Sequence, residues 1–327
     1  MIDLSSLIKK TNAFKIISGD KMAGRLSHAY LVLTSDKTML NDYLKFFAKI
    51  IACESQEPCL ECRVCDLIDK NAHPDVIFYP KNKDSISSEE INELIEESFL
   101  RPIECDKKVF VLLNAELMNA SAQNKLLKTL EEPPKNVHIL LGATSEFPLL
   151  STIKSRVKKL EIPAFDSQTI IDVLKNQCQD KQKLESAVFC SDGSVGGALS
   201  LYNDENLTKT TELVVDVLVN MNSSSQVLRY STKILKSNVE VSQFLSVLEL
   251  LLRDMLVYDQ GQQNLVNNKE LKEKLKSAQK FNTGSIIHAL DTVINAQQRK
   301  KFNMTPTMLI EWVLFQILEG KYKWQKF

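Results

Sequence analysis

The stretch that decides the fold runs from Lys108 to Pro134 and reads KVFVLLNAELMNASAQNKLLKTLEEPP. Residues 109–113 form a short, unbroken apolar run, which is typical of a strand buried on both faces of a parallel sheet. A helix should follow, because Asn119 and Ser121 are good N-caps and apolar residues then recur on one helical face. Two consecutive prolines end that helix. The stretch therefore predicts a strand and a helix of a parallel α/β domain.

The end of this predicted strand lacks the charges that nucleotide hydrolysis needs. In an α/β domain that hydrolyses a nucleotide, an Asp at this point helps to hold Mg²⁺ and a Glu polarises the attacking water. Leu113 and Asn114 stand in those two places, and Glu116 is the only acidic residue close by. The sequence thus predicts the scaffold of such a site without its carboxylates.

The amino-acid composition limits the classes of protein to which this chain can belong. The 327 residues are 44% hydrophobic and 25% charged, which is ordinary for a globular chain of two or three domains. Lys and Arg number 41, as do Asp and Glu, so the net charge is zero, whereas a free-standing nucleic-acid binder usually has a basic excess. We expect any DNA contact to be local or shared with partners. The charged start and the lack of a long apolar run predict a cytoplasmic protein without a membrane segment.

The first predicted strand covers residues 29–33. A phosphate loop of the form GxxxxGK[ST] would lie in the segment that follows this strand. Glycines let the backbone N–H groups of such a loop wrap a phosphate. Lys37 and Thr38 look like a remnant of the motif, but no glycine occurs between Gly24 and Gly142. We interpret Lys37 as a solvated loop lysine in a degenerate phosphate loop.

Four of the seven cysteines lie within thirteen residues, at Cys53, Cys59, Cys62 and Cys65. Four thiolates at this density suit a tetrahedral Zn²⁺ site with no open position, so the predicted role of the metal is structural. Four unrelated thiols are the alternative. His73 is a further possible ligand, although the cysteines already complete the tetrahedron. The remaining thiols are predicted to be isolated core or surface groups, namely Cys105, Cys178 and Cys190.

Domain boundaries follow from the pattern of elements. Short strand-like segments alternate with helical patterns up to residue 162, and they lie at 29–33, 76–79, 109–113, 137–142 and 158–162. This predicts an α/β domain over 1–162 that carries the zinc module at 53–65. Pro163 marks a boundary, beyond which only helices are predicted, as a small domain over 163–204 and a collar of long amphipathic helices over 205–327. The glycine-rich segment 192–198 is interpreted as a helix–helix turn rather than a phosphate loop.

Two further features allow a functional and a structural interpretation. His28 precedes the first strand, and we favour a structural hydrogen bond over a functional role. The C-terminal segment 321–327 interleaves basic and aromatic residues. It could touch nucleic acid, but a solvated and frayed end is an equal alternative.

Several motifs occur together in a characteristic order, and they are His28-Ala29-Tyr30-Leu31, the four-cysteine cluster, His73-Pro74-Asp75, the QNxLLKTLEEPP segment at 123–134, and Thr152-Ile153-Lys154-Ser155-Arg156. In this combination the chain resembles the delta-prime subunits of the bacterial DNA polymerase III clamp loader. The matches span residues 1–162. The turn at 192–198 resembles the small lid domain of that family.

The resemblance implies an AAA+ hetero-pentamer in which this chain assembles with the motor subunits gamma and tau and with the delta subunit. That machine opens the sliding clamp and places it on primer–template DNA. Delta-prime subunits typically do not hydrolyse ATP, and we expect this chain neither to bind ATP nor to act as a polymerase. Leu40 or Asn41 falls where the phosphate-loop Lys would lie, which agrees with that expectation.

The resemblance also assigns roles to individual residues. Arg156 is predicted to be an arginine finger that reaches the γ-phosphate of ATP on an adjacent motor subunit, and Ser155 would orient it. Val157 stands where the family often has Cys. Thr144 matches a γ-phosphate sensor position, which should serve only packing here. Two alternatives remain open, namely a zinc-dependent DNA-binding module or nucleic-acid enzyme built around the cysteines, and a residually active AAA+ ATPase.

Overall fold

The computed structural model describes residues 4–81, 85–204, 206–237, 239–259, 281–299 and 305–323. The chain divides into two compact units. The first comprises Met1–Val173 with Ser194–Gly196, and the second comprises Leu174–Gly193 with Gly197–Phe327. The finer split of the helical part at residue 204 stays a prediction.

A five-stranded parallel sheet forms the centre of the first unit, in the order β2-β3-β4-β1-β5. Its strands are β1 (Ala29–Thr34), β2 (Val76–Tyr79), β3 (Lys108–Leu112), β4 (Val137–Ala143) and β5 (Lys158–Ile162). The helices up to residue 174 are α1 (Leu4–Ile8), α2 (Asn12–Met22), α3 (Leu40–Ala52), α4 (Arg63–Asp69), α5 (Ser88–Ser98), α6 (Ala120–Glu131), α7 (Ser151–Lys154) and α8 (Ser167–Leu174). The predicted α/β class is confirmed.

The three inner strands are buried along their whole length. Every residue of β1, β3 and β4 is buried, which explains their continuous apolar runs. Strand β3 begins one residue earlier than the hydrophobic pattern predicts. Lys108 can be buried there because its Nζ donates to the Glu97 carbonyl (3.0 Å) and carboxylate (2.8 Å).

Local sequence positions the helices that flank the sheet. Helix α6 begins after Asn119, whose side chain accepts the N–H of Ala122 at 2.8 Å, so the predicted N-cap is confirmed. Helix α3 packs closely on β4 at Gly142. A Cβ there would lie 2.4 Å from Leu44 Cδ1, so this approach requires glycine.

The second unit is built from helices in its described residues. Its helices are α9 (Lys181–Cys190), α10 (Val195–Asn203, which starts in the first unit), α11 (Asn206–Asn220), α12 (Ser224–Lys236), α13 (Val241–Asp259), α14 (Thr283–Arg299) and α15 (Pro306–Lys323). Helices α11–α15 share one hydrophobic core. None of the helices in the described part of the chain has the length and apolarity that a membrane crossing requires.

Candidate functional site

The connection after β1 leads towards β2 on one side of the sheet, whereas the connection after β4 passes β1 and leads to β5 on the other side, so the order of the strands changes direction between β1 and β4. Parallel α/β sheets bind ligands outside the carboxyl ends of their strands at such a switch point. Three segments follow the strands there, and we call them together the vestigial nucleotide site. They are residues 35–39 after β1, residues 113–116 after β3, and Thr144 after β4.

A buried carboxylate replaces the phosphate loop after β1. Lys37 is exposed, as expected for a loop lysine, whereas Asp36 is only 4% exposed. One oxygen of Asp36 accepts the N–H of Met39 at 3.2 Å, and the other accepts the N–H of Gly196 at 2.9 Å. Leu40 and Asn41 are the two candidates for the place of the phosphate-loop Lys, and Leu40 is fully buried whereas Asn41 is half-buried. A buried carboxylate, bound through both of its oxygens, thus follows β1 in this chain.

Asp36 is a residue that the sequence analysis missed. Asp36 accepts the N–H of Met39, three residues later, which is a local side-chain to backbone bond that Asp readily makes in turns. Its second partner, Gly196, lies 160 residues away in the chain. No local pattern predicts that bond.

The segment after β3 offers no carboxylate at its first two positions. Asn114 has a left-handed backbone with φ of 53°, a conformation that Asn tolerates better than most residues. Glu116 follows in a single 3-10 turn, and its Oε1 accepts both the backbone N–H of Thr144 (2.9 Å) and its hydroxyl (2.6 Å). Glu116 is thus already hydrogen-bonded to Thr144, which lies at the predicted sensor position. Sequence reasoning missed this pairing, although the two residues follow neighbouring strands.

Arg156 lies in the turn between α7 and β5, and its side chain is 34% exposed. One terminal nitrogen donates to the Thr152 carbonyl at 2.9 Å and to the Ser155 hydroxyl at 3.3 Å. The other donates to the Glu131 carboxylate at 2.8 Å. Ser155 and Glu131 therefore hold the guanidinium from two sides, with part of it open to solvent.

The four predicted zinc ligands lie together between the end of α3 and the start of α4. Three Sγ–Sγ distances are 3.7 Å for Cys53–Cys59, 3.9 Å for Cys53–Cys62 and 4.0 Å for Cys59–Cys65. Four sulfurs at the usual zinc–sulfur bond length of about 2.3 Å lie about 3.8 Å apart in a tetrahedron. The cluster thus has the donors and the size that a tetrahedral metal site needs.

Hydrogen bonds to the sulfurs favour the thiolate form that a metal requires. The sulfurs of Cys59 and Cys62 accept backbone N–H groups at 3.3 and 3.4 Å. Backbone donation, chiefly from Glu61, lowers the pKa of Cys59 to about 6, whereas burial raises the pKa of both Cys62 and Cys65. The Lys21 ammonium donates to the carbonyls of Ile50, Cys53 and Ser55 at 2.5 to 2.6 Å, which places a cation beside the cluster.

A second group, formed by His73, Asp75 and Cys105, lies apart from the four cysteines. Nδ1 of His73 accepts the N–H of Asp75 at 3.0 Å, so the neutral ring carries its proton on Nε2, which faces the Cys105 sulfur at 3.4 Å. The buried Asp75 carboxylate accepts three backbone N–H groups, from Ile103, Glu104 and Cys105. These bonds give the His-Pro-Asp motif a structural role in fixing the loop before β3, so His73 is not needed as a metal ligand.

Two other predictions concern His28 and the C-terminal segment. Nε2 of His28 is buried and has no hydrogen-bond partner among the described residues, while its carbonyl accepts the N–H of Ile139 at 2.8 Å. Lys321 is buried and donates to the carbonyls of Leu218 and Met221, so it is not available to nucleic acid. Residues 324–327 of the basic and aromatic segment lie outside the described part.

Comparisons with known proteins agree with these features. A family model described as DNA polymerase III, delta subunit matches residues 9–166. DNA polymerase III subunit delta' of Bacillus subtilis is 26% identical over 304 residues, which cover 90% of this chain and 92% of that protein. Subunit tau of the same organism is 25% identical over 342 residues, covering 94% of this chain and 60% of tau.

Among solved structures, a DNA polymerase III gamma subunit-related protein from Thermotoga maritima is 17% identical with a TM-score of 0.43, covering 97% of this chain and 98% of that one. The similarity to the Bacillus subtilis subunit extends over 90% of this chain, beyond the residues that the family model matches. By sequence the chain is accordingly similar to the delta-prime subunits of the bacterial DNA polymerase III clamp loader, over residues 9–166 in the family model and over 90% of its length in the Bacillus subtilis subunit.

Proposed function

We propose that this chain is an ATPase-inactive clamp-loader subunit that supplies Arg156 as an arginine finger to the ATP site of a neighbouring motor subunit. The observation that supports this most directly is the contrast between two places in the first unit. The vestigial nucleotide site has neither the cation nor the metal-binding carboxylate of an active nucleotide site. The guanidinium of Arg156, in contrast, is held by hydrogen bonds and is partly exposed.

The chemistry of Arg156 suits phosphoryl transfer in another subunit. Charge develops on the oxygens of the transferred phosphoryl group, and a guanidinium can fork onto two of them at once while staying protonated. Ser155 and Thr152 anchor one end of the guanidinium at 3.3 and 2.9 Å. The proposed role of these contacts is to keep the fork oriented before the neighbouring subunit binds.

The proposed partners are the motor subunits gamma and tau, the delta subunit, the sliding clamp and primer–template DNA. The chain is similar to a delta-prime subunit over 90% of its length and to tau over 94% of its length. This similarity supports assembly with such subunits. The net charge of zero supports a contribution to DNA binding through the complex rather than by this chain alone.

Zn²⁺ is the proposed metal of the four-cysteine cluster. Cys53, Cys59, Cys62 and Cys65 would hold it, with no ligand position left for water, so the ion would be structural. It would join the end of α3, which carries Cys53, to the start of α4, which carries Cys65. The metal would fix the position of α3 relative to α4, which the loop between them defines only weakly by itself.

The isolated chain should not bind ATP, because a buried carboxylate and a buried leucine lie where phosphate needs a cation. Isothermal titration of ATP with Mg²⁺ into the pure protein should give no saturable heat, and steady-state hydrolysis should equal the buffer background. Lys37→Ala should leave both results unchanged, since Lys37 is exposed. A micromolar Kd for ATP that Lys37→Ala abolishes would favour the residually active ATPase.

Glu131→Gln should weaken the finger without unfolding the protein. The exposed ion pair between Glu131 and Arg156 contributes at most about 1 kcal/mol, so the unfolding midpoint should hardly move. In the reconstituted complex, ATP hydrolysis should fall several-fold, though less than for Arg156→Ala, because one side of the guanidinium loses its partner. Glu132→Gln, the adjacent exposed carboxylate, is the matched control. Equal activity of the two variants would remove the positioning role of Glu131.

A further inference from the structure

Asp36 is an unusual residue for the position that it occupies. A carboxylate loses its hydration when it is buried, and this is costly unless strong donors replace the water. Asp36 is 4% exposed and follows the carboxyl end of β1, at the switch point of the sheet. In folds of this kind the same position lies beside the bound phosphate of a nucleotide.

The donors that replace water come from the starts of two helices. Met39 is the N-cap residue of α3 and Gly196 lies in the first turn of α10, and the N–H of each binds a different oxygen of Asp36. Backbone N–H groups at a helix start are unpaired within the helix and carry partial positive charge, so they are the donors that an anionic ligand would use. Met39 and Gly196 both belong to the first unit.

Gly196 packs closely on the segment that carries Asp36. A Cβ on Gly196 would lie 2.6 Å from Thr38 Cβ, 2.8 Å from an oxygen of Asp36 and 2.9 Å from Met39 Cγ. The close approach of this backbone to Asp36 therefore requires a residue without a Cβ. Two anions sharing these donors would repel each other at short range.

We propose that Asp36 is an internal anion that occupies the phosphate position of the vestigial nucleotide site, and that it is the residue that excludes nucleotide from this chain. It binds the amide donors that a phosphate would need and joins residues 194–196 to the start of α3. This inference rests on the proposed function, because it explains how an AAA+ subunit becomes unable to bind ATP.

Anion binding by an Asp36→Ala variant of the full chain tests the proposal. Removing the carboxylate leaves two helix-start donors without a partner, so inorganic phosphate should raise the unfolding midpoint of the variant in a saturable way. Sodium chloride at matched ionic strength should have no such effect. The wild type and Asp42→Asn, which removes an exposed carboxylate in the first turn of α3, should respond equally to phosphate and chloride.

The proposal is overturned if phosphate stabilises Asp36→Ala no more than it stabilises the wild type. Stabilisation by formate without stabilisation by phosphate would also overturn it, because the space would then fit a carboxylate alone. The unfolding measurement does not involve ATP hydrolysis by the complex. Its outcome is therefore independent of whether Arg156 acts as an arginine finger.

Hydrogen exchange keeps the proposal testable if Asp36→Ala does not fold. Asp36→Asn keeps the shape of the side chain but offers one acceptor oxygen to two donors. Amide exchange at Met39 or Gly196 should therefore become about tenfold faster or more, as expected when a bond to a charged acceptor is lost. Exchange at both amides that equals the wild-type rate would contradict the shared-carboxylate arrangement.

Discussion

Replacing Arg156 by alanine should reduce ATP hydrolysis at the neighbouring motor subunit by on the order of 10³-fold, the scale of arginine fingers that act in trans. The reason is electrostatic, since this chain would then supply no cation to the developing charge on the phosphoryl oxygens. The fold should be unaffected, because the side chain of Arg156 is partly exposed and its ion pair lies at the surface. Assembly of the complex should likewise be retained. The measurement is single-turnover hydrolysis in the reconstituted complex, with this chain as the only altered subunit.

Two matched variants separate the finger from a general loss of positive charge. Arg156→Lys keeps the charge but cannot fork onto two oxygens, so it should recover only a small part of the activity. Arg101→Ala removes an exposed arginine elsewhere in the first unit and should behave as the wild type. Unchanged clamp-loading turnover in Arg156→Ala would remove the finger assignment.

Replacing Cys59 by serine should release the metal and lower the unfolding midpoint by roughly 10 °C, because binding free energy at a structural zinc site is also folding free energy. Purified wild-type protein should contain about one Zn²⁺ per chain, since four thiolates fill one tetrahedron. A strong chelator should reproduce the effect of the substitution on the wild type. Metal content by mass spectrometry and the unfolding midpoint by circular dichroism are the two readouts.

Cys178→Ser is the matched control for thiol loss, since Cys178 is a buried cysteine outside the cluster. It should keep its zinc even if its midpoint falls. Wild-type protein that is purified without chelators and holds no zinc would refute the assignment. A Cys59→Ser variant with unchanged metal content would show that this thiol is not a ligand.

Local patterns were sufficient for most of the first unit. The apolar run before Leu113 predicted β3, and Asn119 predicted the start of α6, because both signals depend on residues a few positions apart. The pattern placed β3 one residue too late, since Lys108 reads as a charged loop residue. Its burial depends on Glu97, which lies on α5 and is not part of the local pattern.

The helical part shows the same difference at Lys321. Because Lys321 lies in a basic and aromatic segment, the sequence was compatible with contact to nucleic acid. In the structure its ammonium is buried and donates to the carbonyls of Leu218 and Met221, about one hundred residues earlier in the chain. Composition alone does not distinguish a buried lysine from a solvated one. The partners that decide it come from α11 and the segment after it.

The sequence by itself determined the α/β class, the uncharged residues Leu113 and Asn114 after β3, and the spacing of the four cysteines, because each depends only on residue type and near neighbours. The tertiary structure alone decided what fills the vestigial nucleotide site. The bonds of Asp36 to Gly196 and of Glu116 to Thr144 join segments that are 160 and 28 residues apart. Such bonds form because the parallel sheet brings the carboxyl ends of its strands to one edge, and that edge exists only once the strands have paired.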